Sequence, residues 1–229
     1  MPGVFITGTD TGVGKTLVGC ALVRGLRQAG FDVGVMKPVE TGVSEAGPQD
    51  ALALRDAAGV RDELELICPL QFRLPAAPEV AAIAEHRHAD PDRIRAAFDT
   101  LARRHEVLLI EGAGGLLVPF DEKMTMADLA IALDLPVLIV ARAALGTINH
   151  TRLSIEACEA RGIEVLGVVV SHSDGPLSKA DAANLEVLRR GLGRHWIGEV
   201  PPLAPGERVD PADAGLKAVL AHFRASLAG

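Results

Sequence analysis

The chain has 229 residues, 48% of them hydrophobic, which is enough to fill the core of a single α/β domain spanning residues 1–229. A net charge of −7 with acids and bases interspersed argues against a nucleic-acid surface, which needs clustered Lys and Arg. The three widely spaced cysteines, Cys20, Cys68 and Cys158, suggest neither a disulfide framework nor a zinc site.

No apolar run approaches the ~20 residues that span a bilayer. The first residues enter a strand without the basic start and cleavage site of a signal peptide, so a soluble cytoplasmic protein is expected. Arg103-Arg104 and Arg189-Arg190 read as solvated helix faces.

The first apolar run, residues 4–6, reads as a buried strand and leads into Gly8-Thr9-Asp10-Thr11-Gly12-Val13-Gly14-Lys15-Thr16. Strand, Gly-rich turn, Gly-Lys-Thr and an amphipathic segment from Leu17 onward make a phosphate-binding loop in its proper setting. Its backbone N–H groups can face an anion, the helix start adds a positive field, and Lys15 and Thr16 supply a cation and a magnesium ligand. The loop departs from the common spacing, because five residues separate Gly8 from Gly14.

A helix over 15–29 stops at Gly30, and a strand over 33–36 ends in Lys37-Pro38-Val39-Glu40-Thr41-Gly42. Pro38 holds Lys37 extended. A lysine there would aim a second ammonium at the γ-phosphate, which suits phosphoryl transfer. Asp50 opens a helix over 50–58 and, taken alone, is its N-terminal acid. The Pro-rich stretch 68–78 reads as a loop, and Pro91 starts a helix over 91–104.

The strand over 107–110 ends at Glu111, an acid placed to hold magnesium, followed by a Gly112-Ala113-Gly114-Gly115 turn that lets backbone approach a ligand closely. Thr125 and Asp128 box the start of a helix over 126–133. The strand over 137–140 leads to Ala144-Leu145-Gly146-Thr147-Ile148-Asn149-His150, expected to join the other two strand ends at the phosphate site, and then to a helix over 148–161 that stops at Gly162.

A strand over 165–170 is followed by Ser171-His172-Ser173, a helix over 179–190 capped by Ser178 and Asp181, and a short strand over 197–200. A Pro-rich loop over 201–211 precedes a last helix over 211–227, with Asp210 and Asp213 at its start. Buried strands alternating with helices predict a doubly wound, mainly parallel sheet flanked by helices, with ligands outside the carboxyl ends of its strands.

These segments, in this order, resemble the dethiobiotin synthetases, a P-loop family that makes the ureido ring of dethiobiotin from 7,8-diaminononanoate, carbon dioxide and ATP. The matches are the phosphate loop, Lys37-Pro38-Val39 with Thr41-Gly42, Asp50-Ala51-Leu52, Glu111 to Gly115, and Leu145-Gly146 with Asn149-His150. The resemblance implies that Thr16, Asp50 and Glu111 hold magnesium and that Lys15 and Lys37 stabilise the phosphates and a carbamate. It also implies that Thr11, Gly12, Val13, Gly14, Leu17, Gly112, Ala113 and Gly114 surround ATP, and that Thr41 contacts the substrate near its amino groups.

The family is dimeric, and Gly146, Thr147, Ile148 and Asn149 resemble the helix start by which one subunit grips the substrate carboxylate of the other. From sequence alone Thr147 would pass as an ordinary helix cap, and His150 would be satisfied in the interface. Where many members carry an adenine-reading asparagine, this chain has Ser171 and His172; Pro201, Pro202 and Leu203 resemble the second base-contacting loop.

The alternative is a partition or targeting ATPase switch on a related phosphate loop. Its signature lysine position is occupied here by Asp10, and that class lacks the Lys-Pro-Val element. A corrinoid-modifying amide-forming relative would carry a G-x-C-x-G turn, which does not occur in this chain.

Overall fold

The computed structural model describes every residue except Met1, Asp174, Pro176, Pro205 and Gly229. In chain order the first elements are β1 (Gly3–Gly8), α1 (Lys15–Gln28), β2 (Val33–Met36), β3 (Val39–Thr41), α2 (Gln49–Ala58) and α3 (Leu64–Ile67). Next come β4 (Leu70–Phe72), α4 (Pro78–Ala84), α5 (Pro91–Arg104), β5 (Val107–Gly115), α6 (Met126–Ala132) and β6 (Val137–Arg142). The chain closes with α7 (Thr147–Glu159), β7 (Val165–Ser171), α8 (Lys179–Leu192), a 3-10 turn (Gly193–His195), β8 (Trp196–Val200) and α9 (Leu216–Ala228).

Six strands form one sheet in the order β2-β5-β1-β6-β7-β8, every pair parallel. Parallel pairing requires crossovers, and the crossover helices cover both faces. On one face Val18 and Leu22 of α1, Leu54 of α2 and Phe223 of α9 pack with Val4, Ile6 and Leu109. On the other, Ile94 and Phe98 of α5, Leu129 of α6 and Leu185 of α8 pack with Phe5, Ile110 and Ile139. Burial on both faces explains why the strands read as unbroken apolar runs.

Local chemistry sets the helix starts. Asp90 caps α5 by accepting from Asp92 N at 3.0 Å, and Pro91 sits just inside. Thr125 and Asp128 form a capping box on α6, and Ser178 accepts from Asp181 N at 3.1 Å on α8. No helix among the described residues is long and apolar enough to cross a membrane.

Several expectations need correction. The stretch expected as a loop contains β4, which pairs in parallel with β3 as a separate two-stranded sheet beside the main one; α3 and α4 were likewise not foreseen. At 3 residues each, β3 and β4 are too short to show a periodicity. The last helix begins at Leu216 rather than Pro211, because Asp210 Oδ1 instead closes a turn onto Ala212 N at 2.8 Å and Gly215 takes φ +82°.

Glu111 does not end its strand: β5 runs on to Gly115, and the glycine segment continues alongside β1 through an irregularity in register, with Gly114 at φ +64°. The arginine pairs are not merely solvated. Arg104 bridges Asp62 at 2.8 Å and Glu63 at 2.6 Å, while Arg189 pairs with Glu199 and lies 4.6 Å above the Trp196 ring. Next to Arg104, His105 shares Asp62 and adds Asp32, with Nε2 2.8 Å from Asp62 and Nδ1 3.0 Å from Asp32.

Candidate functional site

β1 lies between β5 and β6 and delivers the chain to the phosphate loop at the carboxyl edge of the sheet. A Cβ on Gly8 would sit 2.7 Å from Asp10 O and 3.2 Å from Lys15 Nζ, so only glycine lets the loop close over that lysine. Gly12 and Gly14 adopt φ +72° and +92°, turning the backbone into a concave nest ahead of α1. Lys15 is buried and donates to Asp10 O at 3.2 Å; burial, then the repulsion of Lys37, lowers its affinity for the proton. Arg142 braces the loop from outside by donating to Thr11 O at 2.8 Å.

Pro38 follows β2 and leaves Lys37 at the strand's end, where its backbone N–H bonds to Ile67 O at 2.7 Å. The Lys37 ammonium reaches Glu111 Oε1 at 2.6 Å, Asp50 Oδ2 at 3.0 Å and Gly112 O at 3.3 Å. Burial alone would release its proton, but the two carboxylates outweigh burial and hold its pKa above the ordinary lysine range. Thr16 Oγ1 donates to the same Glu111 oxygen at 2.9 Å. Asp50 feels burial and then the Lys37 charge, and its net shift is downward, so it stays ionised.

The sequence-expected residues Lys15, Thr16, Lys37, Asp50 and Glu111 therefore meet on one wall of a cleft of about 590 Å³. Thr11, Gly12, Gly14, Leu17, Thr41, Ala113 and Gly114 also line it, as do residues 75–78. Val13 is buried beneath the loop, and Gly112 is packed so tightly that a Cβ would lie 2.7 Å from the Phe5 ring.

The donor set fits a hard divalent cation. Asp50, Glu111 and Thr16 offer only oxygen, and Glu111 Oε2 is fully buried without a hydrogen-bond partner among the described residues. Magnesium prefers such oxygen donors and keeps its remaining positions for water and phosphate. A nest, two ammonium groups and two carboxylates can together align and neutralise a polyphosphate against a second anion.

Other expected residues lie elsewhere. Ser171 ends β7 buried, its Oγ 2.8 Å from where a Gly14 Cβ would be. His172 turns its Nε2 to Glu199 at 2.9 Å. Pro201 and Pro202 are exposed, and Leu203 leans on the core; none of these five residues lines the phosphate cleft.

The third strand-end segment does not join that cleft. Gly146, at φ +95°, is the cap residue of α7, and Thr147 is inside the helix with a buried hydroxyl that has no hydrogen-bond partner among the described residues, so Thr147 is not the cap. Ile148 is half-buried against the core and Asn149 is exposed. His150 instead lines a separate groove behind the loop, with Thr9, Leu117 and Leu153.

Glu40 also lines the cleft, although no sequence motif marks it as a site residue. Its carboxylate accepts from Asp50 N at 3.1 Å and Ala51 N at 3.0 Å, from ten and eleven positions away in the chain. Nothing local in the sequence signals a cap supplied from such a distance.

A family model described as "AAA domain" matches residues 2–208. The chain is 51% identical to the ATP-dependent dethiobiotin synthetase BioD of Anaeromyxobacter dehalogenans over 81% of its length and 86% of that protein. It is 41% identical to the protein of the same name from Thermodesulfovibrio yellowstonii, over 88% of this chain and 89% of that one. Among solved structures, a chain of the MinC:MinD cell division protein complex of Aquifex aeolicus matches with a TM-score of 0.57 at 15% identity, covering 100% of this chain and 97% of that one. A ParA family ATPase from Chlorobium tepidum matches at 0.54 and 12% identity, covering 95% of this chain and 98% of that one. These two structures share the fold.

Proposed function

The chain belongs to the ATP-dependent dethiobiotin synthetase family, and on that premise we propose how its site closes the ureido ring of dethiobiotin from 7,8-diaminononanoate, carbon dioxide and ATP. The observation that carries the proposal is the convergence of Lys15 and Lys37 with Asp50 and Glu111 on one cleft wall.

One substrate amine attacks carbon dioxide and loses a proton, giving a carbamate. A carbamate oxygen attacks the γ-phosphorus and ADP departs, leaving a carbamic-phosphoric anhydride. The second amine attacks the anhydride carbonyl; phosphate leaves with the C–O electron pair, and loss of the amine proton completes the ring. No covalent nucleophile is needed, only alignment of two mutually repelling anions. Lys15 and Lys37 offset that repulsion, and the backbone from Thr11 to Leu17 cradles the phosphates. Thr16, Asp50 and Glu111 would hold magnesium, which would supply charge neutralisation at the phosphates. Thr41, which also lines the cleft, orients the amino groups.

We assign the substrate carboxylate to the helix start at Gly146, Thr147, Ile148 and Asn149 of a second copy, because the cleft of a single chain lacks these residues. The free N–H groups of α7 suit a carboxylate. A homodimer with its substrate site between subunits follows. The base lies toward Ser171, His172 and Pro201 to Leu203. The chain acts as one domain, and an ATP-consuming synthesis belongs in the cytoplasm.

Purified protein incubated with 7,8-diaminononanoate, bicarbonate, magnesium and ATP should yield dethiobiotin by mass, with ADP in equal amount. ADP released without that product would favour an ATPase switch instead.

A further inference from the structure

We propose that Glu40 is a positioning residue, whose carboxylate on β3 fixes the first turn of α2 so that the Asp50 side chain is delivered to the Lys37–Glu111 cluster. Its two oxygens divide between Asp50 N and Ala51 N, at 3.1 and 3.0 Å. In α2, which starts at Gln49, these are the second and third amides, the pair that a helix's own N-cap side chain ordinarily serves. The N-cap position here is Pro48, which has no side-chain acceptor and makes no cap bond.

The source of the cap matters. A local cap stabilises a helix wherever the helix lies, whereas a cap borne on β3 ties the helix start to one place. That place is set by the active site, because Glu40 follows Lys37 closely in a segment pinned by Lys37 N to Ile67 O at 2.7 Å and by the β3–β4 pairing. Asp50 is thus held between two anchors, its amide on Glu40 and its carboxylate on Lys37 at 3.0 Å. The arrangement carries a cost, since Glu40 is 7% exposed and lies beside a second carboxylate. The two amide bonds and the positive end of α2 offset it.

The inference rests on the reading of Asp50 as a magnesium ligand, and the test separates the two. Glu40→Gln keeps the shape but turns an amide group toward a backbone N–H. Adding Pro48→Ser gives α2 a local hydroxyl acceptor in place of the distant one. Calorimetry would follow the magnesium concentration needed for binding of AMP-PNP, a non-hydrolysable ATP analogue, alongside turnover, the KM for 7,8-diaminononanoate and the melting temperature, with Asp50→Asn as reference.

Glu40→Gln should raise the half-saturating magnesium about tenfold, the usual effect of removing a group that orients a ligating carboxylate, with the diamine KM changed less than about twofold. The double variant should regain melting temperature but not magnesium affinity. Recovery of both by Pro48→Ser, or unchanged magnesium dependence in Glu40→Gln, would overturn the inference and leave Glu40 a plain cap. If Asp50→Asn also leaves the magnesium titration unmoved, the metal assignment itself falls. If Asp50→Asn shifts it and Glu40→Gln does not, only the role of Glu40 falls.

Discussion

The Lys37 ammonium lies 2.6 Å from Glu111 Oε1, although the two residues stand 74 positions apart, and both side chains are almost wholly excluded from solvent. The ammonium is shared with Asp50 at 3.0 Å, so one buried cation is divided between two acids at the edge of the cleft and the trio keeps a net negative charge. Each partner therefore has a structural consequence beside its chemical one.

Lys37→Gln should lower turnover by at least about 10²-fold, the scale for losing a charge aimed at a developing anion. Sequence alone suggests an unchanged melting temperature for a strand-end lysine. The structure predicts a loss of about 3 kcal/mol, because Glu111 is left buried without its main counter-charge. Pairing Lys37→Met with Glu111→Gln should recover most of that stability without activity, measured by urea unfolding and by product mass. Unaltered unfolding of Lys37→Gln would show that Glu111 finds another partner.

Asp50→Asn and Glu111→Gln should each raise the magnesium concentration for half-maximal turnover, since each replaces a charged oxygen donor with a neutral one. Titrating magnesium at saturating ATP checks this. A flat response for Asp50→Asn would return that residue to a helix-start acid.

His105 and Arg104 clamp Asp62 from two sides, at 2.8 Å each. Burial raises the Asp62 pKa, the hydrogen bonds from Arg104 and His105 lower it, and the net shift is downward. A depressed folded value means stability that is present above the unfolded pKa of about 3.9 and lost as pH falls through the folded one. Asp62→Asn should thus be less stable than the parent at pH 7, with the gap closing only well below pH ~4. Chemical denaturation across pH 3 to 8 gives the curve, and a gap that stays constant to the acid end would remove the ionic contribution.

Ser171 is buried against Gly14, and His172 is engaged with Glu199, so neither side chain offers a base the paired donor and acceptor of an amide. Turnover with ATP, CTP and GTP should differ by less than about 10³-fold. Stricter preference for ATP would locate base recognition in backbone groups of the loop after β8.

A shared substrate site predicts complementation between inactive chains. Gly146 has φ +95°, so Gly146→Asn is the suitable block: asparagine tolerates that conformation and still puts a side chain over the helix start. Mixing it with Lys37→Gln at random should restore up to about a quarter of the parental activity, because half the dimers are mixed and each has one intact site. Dimers that exchange subunits without recovery would place the whole site in one chain.

The sequence determined what local rules can carry. The phosphate loop with Lys15 and Thr16, the main-sheet strands, the capping box of Thr125 and Asp128, and the placing of Lys37 at a strand end all follow from contiguous residues whose spacing has one physical solution. Tertiary structure alone decided the rest. The short β3 and β4 exist because they pair with each other, and Glu111 proved mid-strand because β1 accompanies it to Gly115. Asp50 is ambiguous as one letter; it becomes a site acid when Lys37 lies 3.0 Å away. The cap from Glu40 and the burial of Ser171 against Gly14 depend on distances between separate segments, and such distances are fixed by packing of the sheet and helices rather than by any stretch of sequence.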